Sequence, residues 1–233
     1  MPAVNVSWSY HGETGPENWG TICPEFAVAK EGTAQSPIDL QLEHVAKYHG
    51  ELLQFYYEKM TYTVKRIENS VHLFPLENTQ YLMYNEEKYT LVAFHAHIPS
   101  EHLLNGEKFD IEWHFVHENR QGDKLVLAVW MHVDQNSQAA LGELPRYFQE
   151  VFVDFDTERS ISLEVAQFLP KKKAFYTYQG SLTTPPTVEG VKWVILKEAV
   201  AIGGADLEKL DTVIGETNRP IQPLNGREIS FYS

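Results

Sequence analysis

The chain has 233 residues and a mass of 26.8 kDa, with 19 basic against 32 acidic side chains and a formal charge of −13. The acidic balance argues against nucleic acid as a partner, which calls for a basic face. A single cysteine excludes both an internal disulfide and any cysteine-built metal cage, so a metal would have to be held by carboxylates and the ten histidines.

Met1 to Tyr10 carries neither a basic stretch nor an apolar one. No signal peptide is therefore expected, and the chain as it stands reads as cytoplasmic, a processed periplasmic or secreted form being the alternative. Lys59 to Ile67 alternates with period two, which predicts a strand with Met60, Tyr62, Val64 and Arg66 on one face. Tyr89 to Ile98 and Phe109 to Val116 read as further strands. Lys124 to Val133 is almost continuously apolar, the pattern of a strand buried on both faces. Its apolar run, Leu125 to Met131, is far shorter than the ~20 residues of a membrane-spanning helix. Three- and four-residue apolar steps predict helices over Ser137 to Val151 and Ala205 to Ile214, the second with Asp206 near its start and Gly215 just past its end. Lys171 to Lys173 reads as a solvated loop, and Val191 to Leu196 as another strand. No repeat or linker divides the chain. One β-dominated α/β domain over residues 1–233 is expected, with short peripheral helices.

The chemistry concentrates in Phe94-His95-Ala96-His97-Ile98-Pro99-Ser100-Glu101-His102 and in Glu112-Trp113-His114-Phe115-Val116-His117. Alternation along a strand puts His95 and His97 on one face, and Glu112, His114 and Val116 on one face of the next, with His117 opposite. If the two strands pair, three imidazoles converge on one point with a fourth position open, the arrangement of a catalytic zinc site. Glu112 is then placed to hold the His114 tautomer.

These segments belong to a longer series. Trp8-Ser9-Tyr10, Gly15-Pro16-Glu17-Asn18-Trp19, Gln35-Ser36-Pro37-Ile38, Gly180-Ser181-Leu182-Thr183-Thr184-Pro185-Pro186 and Asn218-Arg219-Pro220-Ile221-Gln222-Pro223-Leu224-Asn225 stand with them in order along the chain. Together they resemble the α-class carbonic anhydrases, the bacterial branch in particular. The resemblance implies a single domain around a large, twisted, mostly antiparallel sheet. It also implies reversible hydration of carbon dioxide to bicarbonate and a proton by hydroxide on one Zn2+ ion. By that resemblance His95, His97 and His114 are the zinc ligands and Glu112 backs the third. Thr183 accepts a hydrogen bond from the zinc-bound hydroxide, and Glu101 accepts one from Thr183. Val116, Val129, Leu182, Thr184, Val191 and Trp193 line the substrate pocket, and Tyr10 stands near the outward water chain. Anions and sulfonamides are the expected inhibitors, and the family leaves a homodimer open. Two alternatives remain: a cupin-like metal enzyme with Glu101 as a ligand, and a non-catalytic binding module on the same scaffold.

Four features depart from the family pattern. The histidine that commonly relays the proton falls at Val71, with His72 one residue late; a slip of one reverses the face of a strand. His72 is retained as the candidate relay, ahead of His11. Ala93 replaces a glutamine that usually supports the first ligand, and Ala96 an aromatic residue. The two cysteines of the family's disulfide correspond to Ala29 and Thr187, which leaves Cys23 without a partner.

Overall fold

The computed structural model describes residues 6–50, 52–67, 70–137, 141–151 and 159–233. Its strands are β1 Asp39–Leu40, β2 Val45–Tyr48, β3 Leu53–Tyr56, β4 Lys59–Ile67, β5 Ser70–Pro75, β6 Tyr81–Tyr84, β7 Glu87–His97, β8 Leu103–Leu104, β9 Ile111–Glu118, β10 Lys124–Val133, β11 Arg159–Glu164, β12 Phe175–Ser181, β13 Glu189–Leu196, β14 Val200–Ile202 and β15 Ile229–Tyr232. The α-helices are short: α1 Trp19–Ile22, α2 Val28–Glu31, α3 Leu144–Val151 and α4 Gly204–Ile214. One large sheet runs in the order β11-β4-β5-β7-β9-β10-β13-β12-β15-β2, with β6 on β7, β3 on β6 and β14 on β10. Its neighbours are antiparallel except where β10 meets β13 and β14, and β15 meets β2. This is the β-dominated, mostly antiparallel architecture expected. Among the described residues no helix is long and apolar enough to cross a membrane.

Strand β10 shows why the sheet can be buried on both sides. Leu125, Leu127, Val129 and Met131 enter one cluster with Phe94, Trp113, Phe115 and residues of α3 and α4. Val126, Ala128 and Trp130 enter a second with Ile38, Tyr178 and Trp193. Alternation sends successive side chains to opposite layers, so an unbroken apolar run is what this strand needs. His114, opposite Ala128, lies on the side of the second cluster, as does His95, which stands opposite His114.

The helix expected over Ser137 to Val151 begins at Leu144, and residues 138–140 lie outside the described residues. Pro145 explains the late start: its fixed φ and missing N–H suit the first helical turn and no later one. Helix α4 matches its expected span and stops at Gly215, whose φ of +66° a residue with a Cβ rarely adopts.

His117, on the opposite face of β9 from His114, belongs to the core. Its Nδ1–H donates to the Phe115 carbonyl at 2.8 Å, and its Nε2 accepts from the Tyr57 hydroxyl at 2.7 Å. Burial pushes its pKa down from 6.5 to about 3. Between those values the unfolded chain holds a proton at this position and the folded chain does not, so stability falls as pH drops through that window. Urea midpoints are expected to decline between those pH values, and the His117 ring signals in NMR to stay those of a neutral imidazole throughout. A ring that titrates near 6.5 contradicts this placement.

Candidate metal centre

The β7–β9 register places His95 opposite His114 and His97 opposite Glu112. Directly opposed residues present their side chains on the same face. One ligand atom from each of His95, His97 and His114 comes within 4.8 Å of the others, and all three residues are buried. The remaining nitrogens are disposed of unequally. His97 Nδ1–H donates to the Thr217 carbonyl at 2.5 Å, and its buried Nε2 has no hydrogen-bond partner among the described residues. His114 Nε2–H donates to Glu112 Oε1 at 2.9 Å, which leaves the Nδ1 lone pair free. Each bond fixes the tautomer whose other nitrogen can ligate. Burial lowers the pKa of all three rings, His97 to about 3, so they stand in the neutral form a metal requires. Three neutral, buried imidazoles with ring nitrogens this close fit a divalent ion with a preference for imidazole.

Glu112 does more than support one ligand. Its Oε1 also accepts from His102 Nδ1–H at 2.6 Å, and its Oε2 accepts the main-chain N–H groups of Glu101 and His102 at 2.9 and 2.8 Å. Burial would raise its pKa, but His102 and His114 beside it hold the carboxyl well below the usual range. The chain continues from His102 Nε2 to the Tyr178 hydroxyl and on to Ser36 Oγ, each contact 2.7 Å. His102, Tyr178, Ser36 and the Thr217 carbonyl carry no assignment in the sequence reading. His102 alone left a signal there, as a third histidine five residues beyond His97.

Glu101 is buried beside the cluster. Its Oε1 accepts the Arg219 main-chain N–H at 2.8 Å, and its Oε2 stands 3.5 Å from His97 Nε2 and 3.8 Å from His114 Nδ1. Burial raises its pKa well above the carboxylate range, opposed by the Arg219 N–H and by a hydrogen bond with the Thr183 hydroxyl.

A small cavity of about 20 Å3 opens next to the imidazoles, lined by His95, His114, Val116, Val126, Leu182, Thr183, Thr184 and Trp193. Space of this order holds a water-sized group. Val129 is a correction. It faces the opposite layer with Leu127 and Met131, and Val126 takes its expected place. Parity decides the matter: Val126 is opposite Val116, Ala128 is opposite His114, and Val129 is an odd step away from both. Val191 shares the second cluster with Trp193 but is not part of the cavity lining. Tyr10 meets the His97 ring edge-on at 6.5 Å and borders a wider, open cavity with His11, Glu17, Glu216 and Asn218.

His72 is the candidate relay. It stands opposite His95 in the β5–β7 pairing, on the face of the site, while Val71 points into the core. Burial takes its pKa to about 4, whereas a group that carries protons to solvent at neutral pH works best near 7.

Comparison with known proteins agrees with this geometry. The model of a family described as eukaryotic-type carbonic anhydrase matches residues 14–233. The carbonic anhydrase of Nostoc sp. is 34% identical over 231 residues, covering 97% of this chain and 86% of its own. That of Pectobacterium carotovorum is 33% identical over 232 residues, covering 97% and 91%. The α-carbonic anhydrase of Thermovibrio ammonificans, solved in complex with the inhibitor sulfanilamide, superimposes with a TM-score of 0.89 at 33% identity, over 97% of this chain and 99% of that one. With a matching fold, a buried histidine cluster and relatives that span almost its whole length, the chain belongs to the eukaryotic-type, or α, carbonic anhydrase family.

Proposed function

We propose that the enzyme catalyses the reversible hydration of carbon dioxide to bicarbonate and a proton at a single zinc ion held by His95, His97 and His114. The observation that carries this reading is the set of three buried imidazoles with one nitrogen from each within 4.8 Å of the others, two of them, His97 and His114, bonded on the far side of the ring. Zinc bound there lowers the pKa of a water ligand to about 7 and so supplies hydroxide at neutral pH.

The chain's own residues would do the rest. Glu101 Oε2 stands 3.5 Å from His97 Nε2 and 3.8 Å from His114 Nδ1, so its carboxylate would be favoured in the ionised form, against burial, once those rings held a cation. The Thr183 hydroxyl then donates to Glu101 and can only accept from the attacking hydroxide, which aims an oxygen lone pair at carbon. Carbon dioxide has no net dipole and suits the apolar side formed by Val116, Val126, Leu182 and Trp193, with Thr184 at its edge. Small anions and primary sulfonamides would compete for the same position.

Stopped-flow hydration of carbon dioxide tests the reading. Chelator-treated protein is expected to lose activity by on the order of 10³-fold or more, and added Zn2+ to restore it. A zinc-loaded protein no faster than the chelated one overturns it.

A further inference from the structure

Two of the three imidazoles are fixed from behind by a hydrogen bond. His95 is not: its Nδ1 is buried and has no partner among the described residues. Ala93, two residues before it on the same strand, offers no polar atom. A hydrogen bond on the far side ordinarily sets both the tautomer and the angle of a ligating ring. Something else must hold the angle here.

The candidate is the ring opposite. His72 pairs with His95 across β5 and β7, and their centroids are 4.5 Å apart with the planes inclined at 34°. Phe74, two residues further along β5 and so on the same face, backs His72 at 6.1 Å and 19°. The two contacts make a row of rings, Phe74 to His72 to His95, that ends on a metal ligand. Ring contacts of this kind favour particular offsets and tilts, and a packed ring cannot rotate freely. His114, on the strand at the other side of β7, and His97, on β7 itself, approach His95 with centroids at 5.4 and 5.0 Å. The imidazole is thus confined between its fellow ligands and His72.

We infer that His72 is a positioning residue: its ring, backed by Phe74, holds the His95 imidazole in the orientation that ligates metal, in place of the missing hydrogen bond. The inference rests on the proposal that the three imidazoles hold the ion. It differs from a relay role, since it concerns the shape of the ring and not its proton.

The test measures Zn2+ affinity by competition with a chelator, with the absorption spectrum of the Co2+-substituted protein as a second readout and thermal unfolding of the metal-free protein as a control. His72→Ala is expected to weaken Zn2+ binding by about 10–100-fold, the range seen when support behind a ligand is lost. It should also alter the Co2+ spectrum. His72→Phe, which keeps a flat ring, is expected to retain affinity and spectrum. The inference is overturned if His72→Ala binds Zn2+ as the parent does, or if His72→Phe loses as much as His72→Ala. Unchanged affinity with a turnover defect that imidazole buffer repairs would make His72 a relay and also overturn it. A parent protein that binds no stoichiometric Zn2+ would instead defeat the proposed function, so the two failures are distinguishable.

Discussion

Glu101→Gln is expected to keep its zinc and lose about two orders of magnitude in kcat/KM, the cost of misaligning a reacting group. The variant can keep an oxygen for the Arg219 N–H but replaces the other carboxylate oxygen by an amide NH2 in the group that Thr183 bonds. Thr183 must then accept from residue 101 and turn its own proton toward the attacking oxygen, engaging the lone pair that should reach carbon. Thr183→Ala should give a loss of similar size by removing the hydroxyl altogether. The metal content of Glu101→Gln separates this role from the cupin-like alternative, in which residue 101 is a ligand. Zinc loss in step with activity would support that alternative. The geometry argues against it, because the three imidazoles form the cluster without Glu101.

Arg219→Ala is expected to destabilise the protein by about 3–5 kcal/mol, as losses of one partner from a buried charged network do, and to lower Tm by roughly 6–20 °C. The side chain is 1% exposed and packs over the Trp19 ring at 5.5 Å. Its guanidinium donates to the Gln35 side chain at 2.9 Å and to the carbonyls of Ser36 at 2.7 Å and Ala29 at 3.1 Å. Gln35 in turn donates to the Thr187 carbonyl at 3.1 Å. Ala29 and Thr187 are the two positions where relatives would carry a disulfide, so a chain of hydrogen bonds through Arg219 and Gln35 joins the same two segments. Removing the guanidinium takes the donor from two buried acceptors and one part-buried one at once. A calorimetric Tm within about 3 °C of the parent, less than one buried charge partner is worth, would show that this bridge contributes little.

Much of the site was legible before the fold. Period-two alternation placed His95 with His97 and Glu112 with His114, because side chains on a strand have only two sides to occupy. The resemblance added Glu101, Thr183 and most of the apolar side. One placement went astray, and the face of another was left open. Val129 and Val126 sit in one uniformly apolar run, in which nothing local marks the layer each faces; only the pairing of β10 with β9 does. His72 looked displaced when counted along the chain, yet the β5–β7 register turns it to the site. Several strands, β12 and β15 among them, also went unread, since mixed aromatic and polar stretches such as Phe175–Ser181 reveal themselves as strands only through their partners.

Composition and order of residues alone determined that a metal here needs imidazole and carboxylate, that the domain is β-dominated, and that two histidine-bearing strands carry the chemistry. Tertiary structure decided the rest. It set which far-side acceptor fixes each ring: Thr217 is 120 residues from His97, and Glu112 is two residues from His114. It left His95 Nδ1 with no such acceptor and His72 against the ring. It routed His102 through Glu112 and Tyr178 to Ser36. The physical reason is the same in each case. Alternation within a strand is a property of its own backbone, whereas the partner of a buried donor or ring is chosen by whatever segment the fold packs beside it.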